Sequence, residues 1–594
     1  MKRVFFAIAV LGAFLCGCAE DVIGITDDPV ATNSDDSDPE EALGPFDSID
    51  DVTFSRTIGI TWSGSNASAE GDDLGVVSIN GSQVTVDSRS HPDVIKYVLS
   101  GSSGDGSIKI YSSVKQALVL KDLSLANSGG AAINNQGHKR TFVVLEGNSS
   151  LEDCAVNASG DYPDQTDAED EKAAFFSEGQ LVFSGSGSLT VSAKGKAAIT
   201  SDDYLRFLGT QSINVSSVNG HALRGKDAIC VDGGTITASA SADGKKAMSS
   251  DGSVTINGGV ITLSVNGGVS SSTDSSGNID LSGSAGIKSD GAFAITGGTL
   301  SITNTGQGGK GISGDSTASF SGGTVNIKVT GSNYGSSGGN GGPGGGWPGG
   351  GGRPGGRADW GGTTTSGDTS KSAKGIKFDG DISISGGVIN VSASSHEAIE
   401  SKGKLTVSGG VLYAWSSSDD AINSAGDMHL DGGLVCGWSA GNDGIDANGN
   451  LYINGATVYA VCTKGSPEVA LDANTEGGKK LYLQSGALVS IGGIENGSSI
   501  TGSAYSASSW SASNWYALND ASGNLLLAFK TPASSSIKTM VLYSSGKSLG
   551  LKGGVTVTDG TEIFGGNAVS GGTVSGGSDV SVSKYSSSGG FGPR

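Results

Sequence analysis

Residues 374–391 read KGIKFDGDISISGGVINV, and the pattern returns as EAIESKGKLTVSGGVLYA from Glu397, DAINSAGDMHLDGGLVCG from Asp420 and DGIDANGNLYINGATVYA from Asp443. The interval is 23 residues each time. Each copy opens on a small residue and an aliphatic anchor. Apolar residues follow at six and eight positions beyond the anchor, then a glycine-marked corner and a second alternating run. Alternation with period two predicts short strands with one buried face. Glycine at the corner supplies backbone angles that other residues avoid. A unit this short cannot bury its own apolar face, so identical units must stack.

Working outward, the same anchor recurs as Phe175, Ile199, Leu223, Met248, Ile287, Ile312, Ile376, Ile399, Ile422 and Ile445. Most steps are 23 to 25 residues; the steps of 39 after Met248 and 64 after Ile312 mark insertions. The expected fold is all-β, a right-handed parallel β-helix over residues 52–497 with turns of 23 to 25 residues and caps at both ends. Adjacent turns of parallel strands lie about 4.8 Å apart, so equivalent residues form straight columns. Leu412, Ala414, Val435 and Gly437 then point inward and their neighbours outward. The insertion at 335–370, with Trp347, Trp360, Arg353 and Arg357 in a Gly/Pro-rich string, has no composition that packs a core. Its glycine strings are not followed by a helix and do not read as a nucleotide site.

The chain begins with Lys2, Arg3 and an apolar run at 4–15, too short to span a bilayer, so residues 1–18 read as a signal peptide. Leu15-Cys16-Gly17-Cys18 resembles a lipobox, with Cys18 the lipidated residue because bulky Leu15 precedes Cys16. Residues 19–51 carry twelve acidic residues and no Lys or Arg, which predicts a solvated stalk. It supplies over half of the net charge of −22, so acidity says little about the folded part's partner. With 101 Gly and 11 Pro the chain fits short strands and tight turns. Cys154, Cys230, Cys436 and Cys462 show no metal-like spacing and are expected as isolated thiols or one disulfide. Residues 498–594, Ser/Gly-rich with Trp510 and Trp515, are expected to form a C-terminal cap. The expected location is an outer membrane or cell surface, with the membrane engaged only through the lipid. The folded part has no basic groove signature for nucleic acid.

The GIKxDGDIxIxGGxIxV units resemble those of a bacterial carbohydrate-binding β-helix family related to pectate lyases in fold. The upstream order YVLSG, DGSIKIY, LVLKDLSLANSGGAAINNQG, LEGNSSLED and LVFSGSGSLTV resembles that family too, so the likeness covers roughly residues 52–493. It implies a calcium-binding protein that holds acidic plant polysaccharide such as polygalacturonate, and cellulose, without cleaving it.

Two columns carry candidate chemistry. Two positions before and one after each anchor, the pairs run His221/Arg224, Lys246/Ser249, Ala285/Lys288, Lys310/Ser313, Lys374/Lys377, Glu397/Glu400, Asp420/Asn423 and Asp443/Asp446. The second half is acidic, and carboxylates stacked at strand spacing repel unless a cation lies between them. Glu397, Glu400, Asp419, Asp420, Asp443 and Asp446 are therefore the expected Ca²⁺ ligands, with Asn423 and Asp472 as additions. The alternative is that Lys377 and Lys402 neutralise them. The other column is aromatic. Trp415 and Trp438 stack outward, with Tyr413 and Tyr459 beside them, as a carbohydrate-binding platform unless the C-terminal segment folds back over them.

The expectation is a non-catalytic binding protein. SSSDDAIN at 416–423 and GNDGID at 441–446 echo the paired aspartates of polygalacturonases. Their order is reversed here, and that family's Gly-His-Gly and Arg-Ile-Lys motifs are absent. A pectate lyase would need a basic residue beside the acidic cluster, for which Lys377, Lys402 and Lys404 are the nearest. A structural surface adhesin is the third reading.

Overall fold

A computed structural model describes residues 44, 47–166, 169–335, 370–534, 537, 540–546 and 548–586. The expected signal peptide with Cys18, the stalk up to residue 43 and the insertion at 336–369 lie outside the described residues. The described chain is all-β, with short 3-10 turns at Ile49–Asp51 and Phe564–Gly566. Its strands form sheets of 28, 15, six and two strands among the described residues.

The register follows from the repeat. Each anchor pairs in parallel with the next, from Phe175 through Ile199, Leu223, Met248, Ile287, Ile312, Ile376, Ile399 and Ile422 to Ile445. The column extends to Ile133 before and Leu471 after, and every member is buried. These strands make the 15-stranded sheet; the other two strands of each repeat belong to the 28-stranded one. Leu412 pairs with Val435 and Val435 with Val458, all fully buried, so the inward alternation holds. A one-residue slip would turn this whole set outward, which is why the pattern fixes the pairing.

Where a corner carries two glycines, they are needed for different reasons. The second, Gly387, Gly410 and Gly433, has φ near +80° (82, 80 and 79). A Cβ on the first, Gly386, Gly409 or Gly432, would meet the carbonyl oxygen of Ser321, Ser385 or Ser408 in the pairing turn. The long step after Met248 is an antiparallel hairpin, Val269–Thr273 with Ile279–Gly283. The longer one leaves the ladder unbroken, with Thr324–Val329 pairing directly with Val388–Ala393.

Residues on either side of the expected 52–497 also make contacts. Asp47 is buried with its carboxylate 2.9 Å from Arg140 Nε and 2.7 Å from Arg206 Nη1. The Tyr204 hydroxyl also donates to Asp47. Nothing local distinguishes this aspartate from the eleven other acidic residues of the expected stalk; its partners lie far along the chain. At the other end, the described residues beyond 497 form further strands. Ser503–Ala507 and Met540–Ser544 continue the large sheet in antiparallel pairing. A separate six-stranded antiparallel sheet is built from Trp515–Asp520, Leu525–Lys530, Leu549–Thr558, Thr561–Ile563, Ala568–Ser570 and Thr573–Asp579. Leu518, Leu527, Phe529 and Phe564 form one buried cluster with Cys436, Tyr459, Val461, Val489 and Ile491.

Candidate functional site

The charged column is where the repeat places it: Lys246, Ala285, Lys310 and Lys374 pair in turn, as do Lys377, Glu400, Asn423, Asp446 and Asp472. The acidic half divides into two parts of opposite electrostatic character.

In the lower part the acids already have cations. Lys374, buried, lies 3.1 Å from Glu397 and also pairs with Glu400, which Lys402 reaches from outside. His396 Nδ1 is hydrogen-bonded to Glu397 and lies 2.8 Å from Asp419. Burial disfavours the imidazolium, but Asp419 and Glu397 more than offset it and raise the His396 pKa to about 9. Burial would raise Glu397 too, yet His396 and Lys374 hold it below the usual Glu range. Glu397, Glu400 and Asp419 of the expected ligand set thus have protein cations beside them, while His396, Glu397 and Asp419 bring a ring nitrogen and two carboxylate oxygens within 4.8 Å of one another, close enough to share one ion. The neutralising lysine is Lys374 with Lys402. Lys377 instead turns to Asp379.

In the upper part no basic side chain forms an ion pair with Asp420, Asp443, Asp446 or Asp472 among the described residues. Asn423 Nδ2 donates to Asp420 Oδ2 at 3.0 Å and reaches Asp446 Oδ2 at 3.4 Å. The Asp443 amide donates to Asp420 Oδ1 at 3.0 Å, and the Val469 amide to Asp443 Oδ1 at 2.6 Å. Burial, then the charges of Asp446, Asp419 and Asp443, pushes the Asp420 pKa well above the carboxylate range. Burial raises Asp443 to about 7, and burial with Asp419 and Glu397 raises Asp446 to about 6. Burial and a hydrogen bond with Glu495 raise Asp472 to about 10. Asp420, Asp443, Asp446 and Asp472 are thus crowded acids whose charged forms are disfavoured by burial and, for the most part, by one another.

Close in sequence to these corners, the aromatic column is partly covered. Trp415 pairs in register with Trp438, and Tyr413 with Cys436 and then Tyr459. Tyr459 is fully buried: its ring lies 5.3 Å from that of Phe529 and its hydroxyl donates to Lys530 O at 2.8 Å. It is no part of an exposed platform, which corrects that expectation. The C-terminal sheet does fold back over this row, but incompletely. Tyr413, Trp415 and Trp438 stay partly exposed and, with Ser513, Lys530, Thr531 and Asn567, line a cleft of about 250 Å³. Burial pushes the Tyr413 hydroxyl pKa up, against a hydrogen bond with Asn567. Two indoles and a phenol beside one ammonium and several neutral polar groups suit a sugar, whose ring faces are apolar and whose rim is polar.

Sequence reasoning missed His396, although it immediately precedes Glu397 in a quoted repeat. It also missed Glu495, Lys530 and Asn567, which enter from segments without the repeat and carry no local signal. The four expected thiols are all free.

Residues 80–289 and 275–421 match the family of carbohydrate-binding domain-containing proteins, more than half of the chain. A solved structure, that of the polysaccharide lyase-like protein from C. thermocellum in its gadolinium derivative, is similar at 20% identity over 44% of this chain and 96% of that one, with a TM-score of 0.34. No curated protein matches. The chain therefore belongs to the carbohydrate-binding domain-containing protein family.

Proposed function

We propose that this protein winds as a right-handed parallel β-helix and holds a uronate-rich polysaccharide, such as polygalacturonate, without cleaving it. It is anchored to an outer membrane or cell surface by lipid on Cys18. The observation that carries the reading is the cleft of Tyr413, Trp415 and Trp438, closed on one side by Lys530 and Asn567. The indoles supply flat stacking surfaces and Lys530 a counter-charge for a uronate carboxylate.

Calcium belongs to the reading through Asp420, Asp443, Asp446 and Asp472. Bound there, a hard dication would neutralise the carboxylates and offer a coordination position to the ligand's own carboxylate. These acids are half or fully buried and tied to Asn423 and to backbone amides. Such restraint suits gripping a cation better than approaching a glycosidic oxygen.

The alternative is a lyase, whose base would come from the lysines beside the acidic column; Lys310, paired in register with Lys374 and lowered in pKa by burial and by Lys371, Lys374 and Lys377, is the candidate. Calorimetry of the mature chain with polygalacturonate, with and without Ca²⁺, decides between the two while ultraviolet absorbance reports unsaturated product. Calcium-dependent binding that Trp438→Ala weakens, with flat absorbance, is the expected result. Absorbance that grows in wild type and stops in Lys310→Met would replace this reading with the lyase.

A further inference from the structure

Asn134 lies near the opposite end of the charged column, on the strand Ile133–Asn135, beside a second polar pocket of about 350 Å³. The residues that matter there are Asp105, Lys109, Asn134, Asp164 and Glu171, above the glycine pair Gly129-Gly130. Asn134 is 2% exposed. Its Oδ1 accepts from Gln136 Nε2 at 2.6 Å; its Nδ2 leans on Glu171, favouring that carboxylate's charged form, but the contact falls short of hydrogen-bond geometry and the amide has no other partner among the described residues. Glu171 is 7% exposed; one oxygen accepts from the Ala131 amide at 3.2 Å, and burial raises its pKa. A buried amide left without a full partner is costly enough to call for an explanation.

The glycine pair explains how the carboxylates reach the pocket floor. A Cβ at position 130 would sit 3.0 Å from Glu171 Oε1, and one at position 129 would land on the Asp164 carboxylate. The SGGAAINN string is thus shaped by what stands over it, the carboxylates of Asp164 and Glu171.

We infer that this pocket binds a neutral monosaccharide unit, adjacent hydroxyls donating to Glu171 and Asp164 while one of them accepts from Asn134 Nδ2. The mixture of acceptors and an open donor matches a hydroxyl, which is both at once. A metal cation is disfavoured by the amide hydrogens and by the Lys109 ammonium, which is held 2.8 Å from Glu169 at the rim. A uronate is disfavoured by the three carboxylates Asp105, Asp164 and Glu171. The inference rests on the carbohydrate-binding reading but names a different ligand class at a different place, so the two can fail separately.

The test is saturation-transfer NMR and calorimetry of the full chain against neutral hexoses, pentoses and their disaccharides, with galacturonic acid and Ca²⁺ as competitors. At least one neutral sugar is expected to saturate. Asn134→Ala and Glu171→Gln should each weaken it tenfold or more, and Lys464→Ala, outside both pockets, should leave it unchanged. Asp164→Asn, at an exposed residue, keeps the test open if a buried variant does not fold, which thermal melting reports. No saturable neutral sugar, unchanged affinity in the folded variants, or displacement by galacturonate or Ca²⁺ alone would overturn the assignment. Loss of polygalacturonate binding would sink the earlier reading and leave this one standing.

Discussion

Replacing Lys374 by Met tests the division of the acidic column most directly. The residue is 8% exposed and sits between Glu397 and Glu400, at 6% and 3%. Removing one partner of a buried ion pair costs about 3–5 kcal/mol, because the charge left behind stays buried. Here Glu397 keeps His396 and Glu400 keeps Lys402, so about 3 kcal/mol is expected. Lys377→Met is the control: among the described residues that side chain pairs with the exposed Asp379, a contact worth about 0–1 kcal/mol. A long repeat protein need not unfold in two states, so hydrogen exchange at Ile376, Ile399 and Ile422 is a better readout than a single melting temperature. The pH dependence has a definite sign. Glu397 has its pKa lowered in the folded state, so its contribution is present above the ordinary value of 4.5 and lost below it. Lys374→Met shrinks that contribution, and the gap from wild type should narrow as the pH falls through this range. Exchange in Lys374→Met that matches Lys377→Met at neutral pH would refute the pairing and return Glu397 and Glu400 to the cation site.

Other consequences separate binding from folding. Trp438→Ala should weaken polysaccharide binding at least tenfold, about 1.4 kcal/mol, in calorimetry without lowering the melting temperature by much. Tyr459→Phe should do the reverse, costing about 1 kcal/mol of stability through the lost bond to Lys530 O while affinity holds. Asp446→Asn should abolish the calcium-induced rise in melting temperature, whereas Glu400→Gln should leave the rise in place. His221 accepts the Lys246 amide on Nδ1 at 3.1 Å, and burial with the nearby Lys246, Lys245 and Arg224 lowers its pKa to about 3. The unfolded chain therefore takes up the proton first, and stability should fall as the pH drops from about 6.5, by up to about 1.4 kcal/mol per unit, an effect that His221→Gln removes.

Much of the architecture could be read from the chain because its information is local. The 23-residue interval fixes which residues stack, and alternation with period two fixes which face the interior. Hence all ten anchors, the buried Leu412 and Val435, the paired Trp415 and Trp438, and the column from Lys377 to Asp472 stand where the repeat puts them. Neighbouring turns decide these matters among themselves, whatever the rest of the chain does.

Only the tertiary structure decided which of those residues are free to act. Tyr459 and Trp438 come from adjacent turns of one outward face, yet Phe529 buries the first and leaves the second open. Asp420 and Glu397 hold the same repeat position, yet a lysine and a histidine reach only the latter. Asp47 looked like stalk until two arginines some ninety and 160 residues away enclosed it. In each case the outcome depends on a side chain's reach or on a segment without repeat pattern returning from far along the chain. Burial and charge pairing are properties of that meeting, and no periodicity within the repeat encodes it.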